Sequence, residues 1–279
     1  MKKVVSFALN DYMGVQNDLQ GCVNDQKNII GKLGKDFCFE SVGFTNSQVT
    51  KELFRSEVIK LVSFAHSGDI IVIHVSSHGT QLPDANGDES DGYDEALYLY
   101  DGAFSDDEFS SMLSHLKEGV ICVFIMDCCF SGTITRSVNQ KSRFKPLFSQ
   151  VDSEGLPVQK KGRKSKEISS GMNHLVLTGC SDRQTSADAY IGGSYNGALT
   201  YAAMKNLEPG ITYKEWHKRI LKWLSSHRYE QTPQLEGPEW MMNLGVFGSE
   251  VKRKRCFLMR WFGVKQRPVE PIPPNPPTK

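Results

Sequence analysis

One stretch of the chain, Gly119 to Thr133, most constrains the fold, because it joins a strand-like apolar run to a pair of cysteines. It reads GVICVFIMDCCFSGT. Residues 120–126 are apolar and rich in β-branched side chains, which is typical of a strand buried on both faces of a parallel sheet. The run ends at Asp127, and Cys128 and Cys129 follow. Ligands and chemistry in open α/β sheets gather just beyond the carboxyl ends of the strands, so one of the cysteines is a candidate nucleophile.

Strand-like and helix-like patterns alternate along much of the chain. This order predicts an α/β fold in which parallel strands have helices on both faces of the sheet. The predicted strands cover residues 4–9, 37–44, 69–76, 96–100, 120–126, 173–180, 232–235 and 240–247. The predicted helices cover residues 22–34, 46–65, 105–113, 198–206 and 213–226.

Composition separates two structured halves from a linker and a tail. Residues 1–132 and 173–248 carry the periodic patterns and are predicted to form two halves of a single domain. Residues 133–172 are polar, with the basic run QKKGRKSK at 159–166, and are predicted to be an exposed, mobile linker. Residues 249–279 alternate basic and aromatic side chains and end in a proline-rich segment, which predicts partial disorder.

The charge and cysteine content exclude several classes of function. The 279 residues have a net charge of +1, so no overall field favours nucleic acid, and no apolar run is long enough to span a membrane. The first residues, MKKVVSFALND, read as a strand rather than a signal peptide, because Asp11 interrupts the apolar run. Seven cysteines without a secretion signal favour free thiols in a reducing compartment, and we therefore expect a cytoplasmic protein.

A histidine follows a second strand-like run and forms a candidate catalytic pair with the cysteine. Residues 69–76 lead to Ser77 and His78, so two apolar strands deliver an imidazole and a thiol to the same edge of the sheet. An imidazole beside a thiol favours the nucleophilic thiolate. The amides of Gly79 and Cys129 are then candidates for an oxyanion hole. The alternative is that each residue only packs at a strand end, which is the role we expect for Cys128 by strand alternation.

Several sequence motifs, in the same order along the chain, resemble those of a known family. HVSSHG at 74–79, GDESDGYDE at 87–95 and DCCFSG at 127–132 resemble the metacaspases, which are caspase-like cysteine peptidases that cleave after arginine or lysine. LQGCVND at 19–25 and GCSDRQTSAD at 179–188 support the resemblance. Another supporting match is GALTY at 197–201, and together the motifs cover residues 4 to about 247.

The resemblance implies both a fold and an active site. It implies a caspase-like three-layer sandwich with a mostly parallel central sheet of about six strands and helices on both faces. It implies His78 as the general base and Cys129 as the nucleophile, in a chain that acts as a monomer on protein or peptide substrates with exposed arginine or lysine. No organic cofactor is expected. Phe130 stands where the family usually has histidine, which changes the packing near the thiol without removing the base.

The resemblance also implies a pocket for a basic side chain. The family's pocket residues correspond to Asp25 and Asp127, with Cys22 and Ser76 lining it. Two carboxylates at one edge of a sheet pair well with a guanidinium or an ammonium group. Without the resemblance, Asp25 reads as a solvated helix residue and Asp127 as a cap at the strand end.

A calcium site and self-processing are two further predictions. The resemblance suggests that Asp94, Asp106 and Asp107 bind calcium, although Arg136 stands where the family has a further aspartate. The alternative is that Asp106 and Asp107 favour a helix N-terminus through its dipole. A peptidase of this specificity can cut its own exposed basic linker as a zymogen does, and the candidates for cleavage are Lys160, Lys161, Arg163, Lys164 and Lys166. The alternative is that the linker is only a solvated spacer.

Two alternatives complete the predictions. The basic and aromatic tail, residues 249–279, is a candidate for binding an acidic membrane surface or a partner protein, or else for packing on the domain. The alternative to a peptidase is a catalytically silent caspase-like scaffold that binds basic peptides or partner proteins. Phe130 and Arg136 are the departures that keep this alternative open.

Overall fold

The structure is a computed structural model of the whole chain. It describes residues 1–13, 17–83, 93–129, 140–145, 172–180, 184 and 186–252.

Twelve strands and six α-helices are present in the described part of the chain. The strands are β1 (Lys2–Ala8), β2 (Glu40–Thr45), β3 (Ile70–Ser76), β4 (His78–Pro83), β5 (Tyr93–Leu99), β6 (Gly102–Ser105), β7 (Ile121–Asp127), β8 (Gln140–Ser142), β9 (Leu175–Thr178), β10 (Ala187–Ile191), β11 (Ser194–Gly197) and β12 (Gln234–Glu236). The helices are α1 (Cys22–Phe37), α2 (Lys51–Phe64), α3 (Asp106–Leu113), α4 (Ala198–Asn206), α5 (Tyr213–Ser226) and α6 (Glu239–Met242). Short 3-10 turns cover Asn46–Gln48 and Val246–Gly248.

Six strands form the central sheet, in the order β12-β9-β7-β3-β1-β2. All neighbouring pairs are parallel except β12 with β9. This confirms the predicted α/β sandwich with a mostly parallel sheet of about six strands. The strand β3 lies between β1 and β7, and the register places Ser76 opposite Asp127 at the carboxyl ends of β3 and β7.

Helices cover both faces of this sheet and divide the core into two layers. Alternate residues of β3 illustrate the division, because Val72 faces one layer while Ile71 and Ile73 face the other. The first layer contains apolar residues of α1, α4 and α5, including the fully buried Trp216, whose indole N–H donates to a backbone carbonyl. The second layer contains residues of α2 and α3, including Phe54. Burying each such side chain stabilises the fold by about 1.5–3 kcal/mol.

Two three-stranded sheets lie beside the central one and border the carboxyl ends of its strands. The first has the antiparallel order β4-β5-β6 and continues the chain directly from β3. The second has the order β11-β10-β8, and its strand β8 belongs to the segment 133–172. That segment is predicted to be an exposed linker, yet Arg143 within it is fully buried.

One predicted strand begins later than expected, and another has a different structure. Residues 37–39 are not part of a strand, because α1 extends to Phe37 and Cys38 closes the helix in the left-handed conformation with φ 60°. Residues 240–247 form α6 and a 3-10 turn, not a closing strand. Short apolar runs do not distinguish a strand from a buried helical turn, and Met241 and Phe247 pack into the core in this form.

Among the helices that the structure describes, none has both the length and the apolar character needed to cross a bilayer. The six described cysteines are free thiols: Cys22, Cys38, Cys122, Cys128, Cys129 and Cys180.

Candidate active site

The predicted catalytic residues follow two neighbouring strands of the central sheet. His78 and Gly79 begin β4 just after β3 ends, and Cys129 lies two residues beyond β7. The backbones of Gly79 and Cys129 are in direct contact, because a Cβ atom at Gly79 would lie only 1.9 Å from the carbonyl oxygen of Cys129. Glycine is therefore required immediately after the histidine. Cys128 instead packs in the second core layer, as strand alternation predicts.

The imidazole of His78 is held by one ring nitrogen and leaves the other without a hydrogen bond. Its Nε2 lies 2.7 Å from the carbonyl oxygen of Asn17. Its Nδ1 is buried and has no hydrogen-bond partner among the described residues. Burial lowers the pKa of His78 to about 4, although the backbone carbonyls of Asn17 and Arg143 act in the opposite direction. The ring is therefore neutral at physiological pH, with one nitrogen available for proton transfer.

The thiol of Cys129 is fully buried beneath residues from the second half of the domain. Its sulfur lies 3.4 Å from the sulfur of Cys180 and 3.8 Å from the carbonyl oxygen of Ser186, and it accepts from the Ser186 amide. Within the described residues, no hydrogen bond joins this sulfur to the ring of His78.

The four residues predicted to form a pocket for a basic side chain lie together. Asp25 is in the first turn of α1, and its Oδ2 accepts from the hydroxyl of Ser76 at 2.8 Å. Asp127 ends β7 and accepts from the amide of Thr200 at 2.8 Å, in the first turn of α4. Cys22 begins α1, and it is fully buried, as are Asp25, Ser76 and Asp127. Buried carboxylates fixed by amides and hydroxyls form a rigid anionic site.

Arg143 occupies this anionic site. Its Nη2 lies 2.8 Å from Oδ2 of Asp25 and 3.1 Å from Oδ1 of Asp188. Its Nη1 lies 3.3 Å from Oδ1 of Asp127 and donates to the hydroxyl of Ser76 at 2.7 Å. The guanidinium is fully buried, so the three carboxylates interact with it in a medium of low polarity. The pocket thus accepts a guanidinium group.

Asp188 is the pocket residue that sequence reasoning missed. It lies on β10 at the end of the motif GCSDRQTSAD, which indicated the family without assigning this residue a role. Its carboxylate accepts from the amides of Gln20 and Gly21 at 2.8 and 2.9 Å as well as from Arg143. Asn17, whose carbonyl orients His78, was also missed, because a main-chain acceptor leaves no mark in the sequence.

Burial and neighbouring charges shift the pKa values of two residues that line the pocket. Burial raises the pKa of Asp25 to about 7, Arg143 opposes this effect, and Asp127 adds to it. Burial also raises the pKa of Cys22 to about 12, so its thiol lines the pocket in the neutral form. The affinity of the pocket for a cation therefore depends on pH near neutrality.

The main chain of residues 140–145 crosses the site in an extended form. Strand β8 pairs antiparallel with β10, and the amide of Arg143 donates to the carbonyl of Ser186 at 3.2 Å. The amide of Gly79 donates to the carbonyl of Arg143 at 2.8 Å, and the amide of Lys145 donates to the carbonyl of Gly79 at 2.9 Å. The segment is thus hydrogen-bonded on both sides of residues 143 and 144.

The predicted calcium ligands lie at a separate place. Asp94 is in β5, and Asp106 and Asp107 are the first two residues of α3. Ser105 and Glu108 form a capping box at the N-terminus of this helix. Burial, together with the charges of Asp94 and Asp107, raises the pKa of Asp106 to about 6. Nevertheless, the described residues contain no group of three or more acidic, histidine or cysteine side chains arranged to hold a metal ion. The described donors therefore do not make a complete site by themselves.

The remaining candidates lie outside the described residues. They are the cleavage candidates Lys160, Lys161, Arg163, Lys164 and Lys166, the two departures from the family, Phe130 and Arg136, and the tail from residue 253 onward.

Comparisons with known proteins agree with the fold. The family model described as "Caspase domain" (Peptidase_C14) matches residues 1–239. The chain is 29% identical to Metacaspase-1 of Saccharomyces cerevisiae strain S288c over 84% of this chain and 66% of that protein. It is 30% identical to Metacaspase-1B of Aspergillus fumigatus over 81% of this chain and 67% of that protein. The chain thus spans about two thirds of the length of these relatives.

Solved structures show the same architecture. Protein GSU0716 of Geobacter sulfurreducens superposes with a TM-score of 0.67 at 23% identity, covering 89% of this chain and 99% of that chain. Caspase-1 of Spodoptera frugiperda superposes with a TM-score of 0.57 at 14% identity, covering 89% and 90%. At these identities the likeness supports the caspase-like fold alone.

Proposed function

The chain belongs to the caspase domain family, and on that basis we propose that it is a cysteine endopeptidase that cleaves peptide bonds after arginine or lysine. One observation carries the specificity: the buried carboxylates of Asp25, Asp127 and Asp188 surround a guanidinium beside the predicted nucleophile. A pocket of three carboxylates attracts a cationic side chain and repels an acidic one. The substrates are therefore proteins or peptides with an exposed arginine or lysine.

The proposed reaction uses Cys129 and His78 as a dyad. Because the Asn17 carbonyl is an acceptor, Nε2 of His78 carries the ring proton and Nδ1 is the free base. Nδ1 takes the proton of the Cys129 thiol, and the thiolate attacks the scissile carbonyl carbon. The amides of Gly79 and Cys129 donate to the developing oxyanion. His78 then protonates the leaving amine, and water hydrolyses the thioester to regenerate the thiol.

Turnover of a fluorogenic arginine peptide tests this proposal against the alternative of a silent scaffold. We expect cleavage that is lost in Cys129→Ala and His78→Ala. The control is Cys128→Ala, which removes a neighbouring thiol in the core. Turnover by this variant should stay within a few-fold of that of the unmodified chain. Binding of basic peptides without cleavage by any variant would favour the scaffold.

Calcium stimulation through Asp94, Asp106 and Asp107 stays a separate proposal. Support comes from the mutual repulsion of these carboxylates, which a hard divalent cation relieves. The alternative is that Asp106 and Asp107 act on the dipole of α3. A calcium-dependent rise in the melting temperature that Asp106→Asn removes would support binding, whereas an unchanged melting temperature would favour the dipole. No step of the proposed reaction depends on calcium.

Four predictions concern other properties or residues outside the described part of the chain. Cleavage after Lys160 to Lys166 is checked by sequencing the fragments of the active chain. Membrane or partner binding by residues 249–279 is checked by comparing liposome binding before and after their removal. The predicted monomer is checked by light scattering, and cytoplasmic location also stays a prediction.

A further inference from the structure

We propose that residues 140–145 are bound in the active site as the chain's own substrate, with Arg143–Phe144 as the bond that is cleaved. This inference rests on the proposed function and names the first substrate of the site. It also places self-processing at a residue other than the lysines and arginine predicted at 160–166.

The side chain of Arg143 fulfils the requirement for specificity. It is fully buried, and its two terminal nitrogens together contact three carboxylates from three different elements: α1, β7 and β10. A basic side chain on an exposed linker has no physical reason to be buried, because desolvating a guanidinium is costly unless a built anionic site receives it.

The main chain before the bond is held as an added strand. Residues 140–142 extend the β10–β11 hairpin by antiparallel pairing, and the Arg143 amide donates to Ser186. Peptide ligands commonly bind by adding a strand to an exposed sheet edge in this way. The register of β8 on β10 therefore fixes Arg143 at the mouth of the pocket.

The carbonyl of Arg143 is hydrogen-bonded to a predicted oxyanion donor. It accepts from the amide of Gly79, which is one of the two predicted oxyanion-hole donors. It also lies close enough to His78 to affect the pKa of the imidazole. After the bond, Lys145 is held by Gly79 and by the hydroxyl of Thr80, which donates to its carbonyl at 2.7 Å. The chain is thus fixed on both sides of the Arg143–Phe144 bond.

The reaction is balanced without a co-reactant other than water. The sulfur of Cys129 bonds to the carbonyl carbon of Arg143, and the bond to the nitrogen of Phe144 breaks as that nitrogen receives the thiol proton through His78. Water then hydrolyses the thioester and leaves a carboxylate on Arg143. Until this happens, the pocket is filled, and the uncut chain is blocked toward other substrates.

Fragment analysis of the full chain tests the proposal. We expect the active chain to yield a fragment whose N-terminus is Phe144, at a rate independent of protein concentration, because enzyme and substrate are one molecule. Cys129→Ala should remain uncut, and Arg143→Lys should still be cut. Arg143→Gln should remain uncut at 143 but cleave an external arginine peptide without a lag. The control is Lys141→Gln on the same strand, which is exposed and should be cut normally.

Two failures are distinguishable. External peptide cleavage without a Phe144 N-terminus, or cuts only after residues 160–166, would overturn this inference and leave the proposed function intact. Absence of external cleavage in every variant, including Arg143→Gln, would overturn the proposed function itself.

A second observation carries an independent proposal: the 3.4 Å between the sulfurs of Cys129 and Cys180. The neighbouring strands β7 and β9 each end shortly before one of these residues, which brings the two thiols together. We propose that they form a disulfide under peroxide. Hydrogen peroxide oxidises one thiol to a sulfenic acid and is reduced to water, and the second thiol displaces a further water to form the S–S bond of about 2.05 Å.

Mass spectrometry and recovery of activity test the disulfide. We expect a Cys129–Cys180 cross-linked peptide after peroxide treatment and full recovery of activity with dithiothreitol. Without Cys180 the sulfenic acid has no resolving thiol and proceeds to irreversible states, so Cys180→Ser should recover several-fold less activity. A control at a distant buried thiol, Cys122→Ala, should recover as the unmodified chain does. Absence of the cross-link, or equal recovery in Cys180→Ser, would overturn the proposal.

Discussion

The amide nitrogen of Gly79 lies 2.8 Å from the carbonyl oxygen of Arg143. This hydrogen bond joins the residue after the proposed catalytic histidine to the segment that follows β8. It places a peptide carbonyl at a predicted oxyanion donor, while the side chain of the same arginine fills the acidic pocket. The predictions below follow from this arrangement.

Asp188→Asn should weaken cleavage of arginine peptides selectively. The substitution keeps the size of the side chain and removes one carboxylate from the guanidinium, which costs about 2 kcal/mol or roughly 30-fold in kcat/KM. The measurement compares an arginine peptide with its citrulline analogue in both chains. Asp36→Asn is the control, because Asp36 pairs with Lys32 on the surface of α1 and lies outside the pocket. An equal loss on both peptides would show that Asp188 is structural instead.

Gly79→Ala should lower kcat by about 100-fold, the effect typical of losing an oxyanion donor. The added Cβ would lie 1.9 Å from the carbonyl of Cys129, so the amide must move. Steady-state kinetics on an arginine peptide provide the measurement. Gly31→Ala is the control, since a Cβ there meets nothing within 4 Å and suits a helix. A kcat that Gly79→Ala leaves unchanged would argue against the proposed oxyanion hole.

KM for an arginine peptide should fall as the pH rises above about 7. Burial raises the pKa of Asp25 to about 7 in the presence of the opposing guanidinium, and the pKa is higher still when the cation leaves. Cation binding therefore releases a proton, and alkaline conditions favour it. Measurement of KM from about pH 6 to about pH 9 checks this expectation. In Asp25→Asn, KM should be higher and should change less with pH. If KM of this variant depends on pH as strongly as in the unmodified chain, another group is responsible.

Two buried histidines should take stability from the folded state as the pH falls below about 6.5, against the carboxyl groups of Asp25 and Asp106, whose raised pKa values act in the opposite direction. Burial lowers the pKa of His74 to about 3 and that of His78 to about 4, so the unfolded chain binds these protons first. Between about pH 6.5 and the folded pKa, each histidine contributes a slope of up to about 1.4 kcal/mol per pH unit. The free energy of unfolding in urea, measured across this range, should fall more with acid, or rise less, in the unmodified chain than in a chain that lacks one of these histidines.

His74→Gln isolates one of these two contributions. Glutamine does not titrate, so the acid loss of stability should be shallower in this variant. The control is His115→Gln, because His115 is exposed. If the curves of both variants coincide with that of the unmodified chain, burial of His74 is not the source of the acid sensitivity.

Local patterns were sufficient for the architecture and for the choice of a candidate catalytic pair. Apolar runs of strand length show where β3 and β7 lie, and the carboxyl ends of parallel strands share one edge of a sheet. His78 and Cys129 follow those ends directly, so adjacency of the two strands was the only tertiary assumption. Residues 240–247 show the limit of this reasoning, because a short apolar run fits a buried helix as well as a strand.

Family motifs extended the prediction to Asp25 and Asp127, but not to what fills the space between them. Arg143 lies 118 positions from Asp25, in a segment whose polar composition predicts exposure. Periodicity and composition describe neighbours along the chain and carry no information about such a distant pair.

By itself, the sequence determined the five parallel strands of the central sheet, the helices α1 to α5 and the residues that follow β3 and β7, since these depend on periodicity and on short-range backbone preferences. The tertiary structure alone decided that Arg143 is buried, that Asp188 completes the pocket and that the Asn17 carbonyl orients His78. The reason is physical: charge pairing and main-chain hydrogen bonds across distant segments form only when the fold removes those groups from water.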